Sequence, residues 1–135
     1  MKIAESVNNR SFKKGGVWRV FLYENLGVYQ KSLVLVKSIY GLLQQIKTAD
    51  LNLKDQLKRA ATSIPLNIAE GNGRATEKDK TRFLIQARGS VFEVGSALDI
   101  LLTIEAIDKE SFTGIKDRLI EISKMLSGLI NRMRD

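Results

Sequence analysis

Apolar residues recur at intervals of three and four positions along most of this chain, which is the spacing expected for one face of an α-helix. The pattern predicts four helices joined by short loops. Such connections favour an antiparallel up-down-up-down four-helix bundle, which is an all-α fold. Residues 1–24 fit none of the helices and are assigned to a basic N-terminal extension, and residues 25–135 to the bundle domain. The predicted helices cover about residues 28–47, 53–71, 76–105 and 111 or 113 to 133.

The single proline of the chain, Pro65, lies inside the predicted second helix. Proline lacks an amide hydrogen, and its ring clashes with the carbonyl group four residues earlier, here that of Ala61. We expect a bend rather than a break, because the apolar spacing continues in phase on both sides of the proline. The hydroxyl of Thr62 or Ser63 is a candidate hydrogen-bond donor to the freed carbonyl.

Local signals refine the helix ends and the third helix. Asp50 or Asn52 is expected to cap the second helix and Thr76 the third, since short polar side chains accept hydrogen bonds from the first free amides. Gly89 and Gly95 lie within the third helix, where each costs about 1 kcal/mol relative to alanine. That cost suggests that a neighbouring helix approaches the backbone closely at one of them.

Two of the predicted helices carry a narrow polar stripe beside the apolar face. Each stripe is identified by advancing about 100° per residue around its helix. Because the two helices are adjacent, the stripes could face each other. One interpretation is a pair of solvated flanks with ion pairs inside each helix. The other is a hydrogen-bonded seam that sets the register or forms a binding surface. The stripe residues are Arg59, Ser63, Asn67, Glu70 and Arg74 on the second helix, and Arg82, Gln86, Gly89, Ser90 and Glu93 on the third.

The third helix also has apolar residues away from its main apolar face. Ile85 and Phe92 lie one heptad apart and outside that face. Exposed apolar strips on a bundle helix are typical of surfaces that contact another protein. Ile85 and Phe92 are therefore candidates for an oligomer face.

The polar stripes and the residues around them match a known signature, which runs Q-x-x-R-A-x-x-S-I-x-x-N-I-A-E-G-x-x-R and then F-L-x-x-A-x-G-S-x-x-E. The chain thereby resembles the bacterial four-helix-bundle family encoded in intervening sequences of 23S ribosomal RNA genes. Leu26, Val28, Tyr29 and Gln30 also resemble the opening of the family's first helix, although Tyr29 stands where tryptophan is usual. The matching residues are Gln56, Arg59, Ala60, Ser63, Ile64, Asn67, Ile68, Ala69, Glu70, Gly71, Arg74, Phe83, Leu84, Ala87, Gly89, Ser90 and Glu93.

The resemblance implies an assembly and partners that the residue pattern does not. It implies a ring-like homopentamer. It also points to the accessory variability protein of diversity-generating retroelements, which works beside a reverse transcriptase and whose basic bundle contacts nucleic acid. From this resemblance, RNA and a reverse transcriptase are expected as possible partners of the chain.

The 135 residues include no cysteine and no histidine. This composition excludes disulfides, thiol nucleophiles, Ser-His-Asp triads, and zinc or di-iron sites with histidine ligands. No apolar run is long enough to span a bilayer, and a cytoplasmic location is the simplest expectation. We predict that the chain is not an enzyme and has no cofactor and no metal site.

The net charge is +7, from 22 Lys and Arg against 15 Asp and Glu, and the excess lies in the N-terminal half. A polyanionic partner would explain this charge, and so would an ordinary requirement for solubility. The N-terminal extension leaves a similar choice, because its basic Lys13-Lys14 pair precedes Trp18. It suits an arm that contacts RNA, and equally a mobile or lightly docked tail.

Two functional hypotheses follow. The first is a non-enzymatic oligomeric bundle that binds RNA, acts as an adaptor to a protein partner such as a reverse transcriptase, or does both. The second is a structural homo-oligomer without nucleic-acid binding, in which Arg59, Ser63, Asn67, Glu70, Arg74, Ser90 and Glu93 form a polar network. Candidate nucleic-acid contacts are Lys47, Lys54, Lys58, Arg59 and Arg74.

Overall fold

The computed structural model describes residues 22–46 and 50–134, and this part of the chain contains helices and no β-strand. The N-terminal extension up to residue 21, and Lys47, lie outside the described residues. A short 3₁₀ turn, Leu22–Asn25, leads into the bundle. The four helices are α1 (Gly27–Gln45), α2 (Leu51–Asn72), α3 (Glu77–Thr103) and α4 (Lys109–Arg134). The predicted all-α four-helix bundle is confirmed.

The helices are arranged as a ring of antiparallel neighbours. Each helix packs on the next one along the chain and α4 packs on α1, whereas the backbones of the two diagonal pairs stay farther apart in the described part of the chain. Ser63 in the middle of α2 hydrogen-bonds to Ser90, whereas Gly71 near the end of α2 lies against Phe83 near the start of α3. Consecutive helices therefore run in opposite directions, and the α1–α2 and α3–α4 pairs occupy opposite sides of the bundle.

The core follows from the apolar periodicity. Its fully buried side chains come from all four helices, and burial of each contributes roughly 1.5–3 kcal/mol. None of the described helices combines the length and the apolar character needed to cross a membrane. The largest core residues that are fully buried are Leu35, Ile39, Leu57, Ile64, Ile68, Leu98, Leu101, Ile122, Leu126 and Ile130.

Helix α2 continues without interruption through Pro65, as predicted, and the proline itself is buried. The predicted hydroxyl bond to the carbonyl of Ala61 is wrong. Thr62 donates to the carbonyl of Lys58 at 2.9 Å, and Ser63 donates to that of Ala60 at 2.8 Å. A helical hydroxyl reaches back three or four residues. Only a hydroxyl at position 64 or 65 could therefore donate to the Ala61 carbonyl, and neither Ile64 nor Pro65 has one.

Two of the predicted caps are present. Asp50 accepts a hydrogen bond from the Leu53 amide at 3.0 Å, and Thr76 accepts one from the Asp79 amide at 3.1 Å. Helix α4 begins two to four residues before the predicted start. The reason is a third cap, in which the Asp108 carboxylate accepts a hydrogen bond from the Ser111 amide at 2.7 Å.

The turn between α3 and α4 closes through two backbone hydrogen bonds. The Glu105 amide donates to the Leu102 carbonyl at 3.0 Å, and the Ala106 amide donates to the Leu101 carbonyl at 2.9 Å. This pair of bonds is the Schellman motif, which places one residue in the left-handed conformation. Glu105 takes that position, with φ of 60°, where glycine is usual.

Substitution of Asp108 tests the cap of α4. The Ser111 amide lowers the pKa of the Asp108 carboxyl, and the Ser111 side chain lowers it further. Because the folded-state pKa is depressed, the stabilisation is complete above the ordinary aspartate pKa and is lost as the pH falls through the folded-state value. We expect Asp108→Ala to lower the melting temperature at neutral pH. Asp108→Asn should retain the cap and the melting temperature. Its stability should no longer include the loss on acidification that protonation of the Asp108 carboxyl causes. Equal melting of wild type and Asp108→Ala at neutral pH would contradict the role of this cap.

The close approach between helices that was predicted at Gly89 or Gly95 occurs instead at Gly71. Gly95 has only ordinary contacts with α4, and a Cβ atom added to Gly89 would meet nothing within 4 Å. At Gly71, by contrast, an added Cβ would lie 2.9 Å from the Phe83 Cβ and 3.2 Å from the Lys80 carbonyl oxygen. The absence of a side chain at Gly71 therefore permits α2 and α3 to meet near their connecting turn.

Candidate functional site

One lysine of α2 lies over an exposed aromatic ring of α1, and a further lysine lies one turn away on each helix. Lys37 and Tyr40 lie one turn apart on α1 and are exposed, and Lys54 and Lys58 lie one turn apart on α2 and are half-buried. The Lys58 ammonium lies 5.6 Å from the centre of the Tyr40 ring. We call these four residues the basic surface.

Few negative charges lie near the basic surface. Helix α1 contains no Asp or Glu, and residues 51–69 of α2 contain only Asp55. Within the described residues no carboxylate forms an ion pair with the three lysines of this surface, whereas Lys31 on α1 pairs with Glu121 at 2.5 Å. Positive charge that is not neutralised locally attracts polyanions.

The structure brings together only part of the predicted nucleic-acid set. Lys54 and Lys58 belong to the basic surface. Arg59 is exposed on a different side of α2, about 100° around the helix from Lys58. Arg74 follows the end of α2, whose last residue, Asn72, lies fourteen residues or about 21 Å along the axis from Lys58. Sequence reasoning missed Lys37 and Tyr40, although their spacing on a helix without acidic residues was visible in the sequence.

The polar stripes of α2 and α3 meet at a pair of serines. The hydroxyls of Ser63 and Ser90 hydrogen-bond to each other across the helices. The Ser90 hydroxyl lies 3.2 Å from the Gln86 carbonyl, and Asn67 donates to the Ser63 carbonyl at 2.8 Å. This part of the stripes is a hydrogen-bonded contact between helices.

The charged residues of the stripes remain at the surface. Arg74 pairs with Glu70 one turn earlier at 2.5 Å, and both side chains are substantially exposed. An exposed pair of this kind contributes about 0.3–0.5 kcal/mol. Arg59 and Glu93 are exposed and form no ion pair within the described residues. The stripes thus combine a serine contact with solvated charges, and the charged members do not form a closed network within one chain.

An apolar groove lies between α3 and α4, on the side of the bundle opposite the basic surface. Phe92 is 62% exposed and Ile120 is 50% exposed, and both line the groove, whose volume is about 400 Å³. Lys124 and the ion pair between Asp99 and Lys116 also line it. Of the two oligomer-face candidates, Phe92 is therefore fully at the surface. Ile85 is partly buried and packs on the core.

The described residues offer few possibilities for metal chemistry. No three carboxylates among them come close enough together to hold a metal ion. The side chains leave two distinct surfaces exposed, one basic and one apolar.

The chain is similar to known proteins both in sequence and in fold. The family model of 23S rRNA-intervening sequence proteins matches residues 24–128. A crystal structure of a protein with unknown function from the S23 ribosomal protein family of Bacteroides thetaiotaomicron is similar in fold, with a TM-score of 0.71 and 28% sequence identity. The match covers 76% of this chain and 97% of that one. No curated protein matches the chain.

Proposed function

The chain belongs to the 23S rRNA-intervening sequence protein family, and we propose that it is a non-enzymatic, self-associating bundle that binds RNA. The family assignment supports the fold and does not supply an activity. The observation that carries the proposal is the basic surface, where the Lys58 ammonium lies over the exposed ring of Tyr40, Lys37 lies one turn from Tyr40 on α1 and Lys54 lies one turn from Lys58 on α2.

The basic surface suits phosphate binding for two reasons. Within the described residues these lysines form no ion pair with a carboxylate, so a phosphate has no such pair to displace there. Lys54 and Lys58 are half-buried, which restrains their stems while the ammonium groups stay in water. Assembly of several copies would repeat the surface and raise the overall affinity, because each further contact becomes intramolecular.

Charge reversal on α2 tests the RNA-binding proposal. We expect Lys54→Glu/Lys58→Glu to reduce affinity for a structured RNA by at least about tenfold at low salt. The log–log salt slope should become shallower by roughly 1.4 to 1.8, since about 0.7–0.9 counterions are released for each of the two phosphate contacts. Fluorescence anisotropy of a labelled RNA across a salt series measures both quantities.

A matched variant controls for net charge. Lys78→Glu/Lys109→Glu changes the charge by the same amount at the first turns of α3 and α4, away from the basic surface. It should bind RNA nearly as well as the wild type. Equal losses of RNA affinity in the two double variants would show that RNA is attracted by net charge and does not bind specifically at the basic surface. No binding by the wild type at low salt would reject the proposal.

A structural homo-oligomer without RNA binding is the second candidate function, and the exposed Phe92 and Ile120 favour it. The resemblance described above would make the assembly a homopentamer. It also supports an adaptor role beside a reverse transcriptase, for which the α3–α4 groove is the surface that fits a protein partner. Co-purification of a reverse transcriptase with the wild type, but not with Phe92→Glu, would support that role.

A further inference from the structure

We infer that the basic surface binds unpaired RNA bases, with the Tyr40 ring as a stacking platform, and that the protein therefore prefers single-stranded to double-stranded RNA. The inference rests on the proposed RNA binding and specifies which class of RNA the surface selects.

The Tyr40 ring is available to a ligand. Its residue is 40% exposed and lies on the side of α1 that faces α2, where the ammonium of Lys58 lies 5.6 Å from the ring centre. The Phe83 ring provides a contrast. It lies between the guanidinium groups of Arg74 and Arg82, at 4.6 and 4.5 Å, but the residue is only 9% exposed. Phe83 therefore serves packing, and Tyr40 can still accept a base.

The lysines bracket the Tyr40 ring along the bundle axis. Lys37 precedes Tyr40 by one turn of α1, and Lys54 precedes Lys58 by one turn of α2. Because the two helices are antiparallel, Lys37 and Lys54 lie on opposite sides of the ring, about 10 Å apart along the axis at 1.5 Å per residue. A strand running along the bundle would place phosphates near these lysines and a base on the ring.

Double-stranded RNA cannot use the ring in this way. In an A-form duplex the base faces are stacked inside the helix, and proteins read such RNA mainly through its shape, phosphates and 2′-hydroxyls. A tyrosine on a convex helical surface can contact the phosphates of a duplex but not its base faces. Every unpaired base has a π-face, so stacking on Tyr40 favours single strands without selecting a sequence.

The test compares Tyr40→Leu with Tyr40→Phe on two RNAs of equal length, an unstructured oligouridylate and a duplex. The wild type should bind the oligouridylate more tightly. Tyr40→Leu should weaken that binding by about fivefold to 150-fold, the loss expected for one stacked base. Its affinity for the duplex should fall much less than its affinity for the oligouridylate, and its salt slope should not change, because the three lysines remain. Tyr40→Phe should behave as the wild type, and circular dichroism should show equal helix content in all three proteins.

The outcomes separate this inference from the proposed function. If the wild type binds RNA and the α2 lysine reversal weakens binding, but Tyr40→Leu binds the oligouridylate as well as the wild type, only the stacking inference is wrong. Tighter wild-type binding to the duplex would also overturn it. If the wild type binds neither RNA, the proposed function and the inference both fail.

Discussion

Replacing Gly71 with alanine is expected to lower the free energy of unfolding by about 2–3 kcal/mol, which is the cost of overpacking a site that cannot relax. The new Cβ atom would lie 2.9 Å from the Phe83 Cβ and 3.2 Å from the Lys80 carbonyl oxygen. Both neighbours are fixed to the backbone of α3, so no side-chain rotation relieves the contact. The two helices would have to separate near their connecting turn, where Phe83 is buried.

Gly128→Ala is the matched control for this measurement. Gly128 is exposed inside α4, and an added Cβ would meet nothing within 4 Å. Alanine there should stabilise the protein by about 0.5–1 kcal/mol, because it removes the helix-propensity cost of glycine. Urea denaturation of both variants, with the assembly state checked in the same buffer, gives the comparison. Equal stability of Gly71→Ala and the wild type would show that α3 yields easily at this point.

For the proposed self-association through the α3–α4 groove, we expect Phe92→Glu to give monomers with unchanged helix content. Phe92 is 62% exposed on the rim of the α3–α4 groove, so a charge there does not disturb the core of a single chain. In an interface between chains, the substitution would remove roughly 1.5–3 kcal/mol of apolar burial and would place an unpaired carboxylate against apolar surface. Each copy would carry this loss, and therefore the assembly should dissociate completely.

Light scattering after size exclusion measures the expected change in mass. Leu51→Glu is the control, because Leu51 is an equally exposed apolar residue, 71% exposed, at the first position of α2 and away from the groove. Its assembly should match that of the wild type. An unchanged mass for Phe92→Glu, or a wild type that is already monomeric, would reject self-association through this surface.

The start of α4 shows how far local signals predict a boundary. Asp108, Ser111 and Thr113 are all of residue types that cap helices, and the predicted start of the helix was residue 111 or 113. The structure uses Asp108, where Ile107 on one side is buried and Phe112 on the other packs on the core. An apolar residue just before the cap and another in the following turn fix the entry of the chain into a helix. Which of three equivalent caps is used therefore depended on where the apolar neighbours could be buried.

The fold and the candidate site likewise combine features that the sequence predicts with features that only the tertiary structure decides. The periodicity of apolar residues was sufficient to predict four helices, their order and most of their core positions, because one buried face per helix leaves a repeating pattern along the chain. The signature residues were sufficient to identify the family. The individual positions of Lys54 and Lys58 on one side of α2 also followed from helical geometry.

The pairing of one helix surface with another came only from the tertiary structure. Tyr40 and Lys58 belong to different helices, and nothing in the spacing within either helix places them in contact. The same holds for Gly71, which resembles an ordinary helix-ending glycine until Phe83 is packed against it. Contacts across helices depend on rotation, axial offset and side-chain volume at the interface, and these are set when the core is filled rather than by any local pattern.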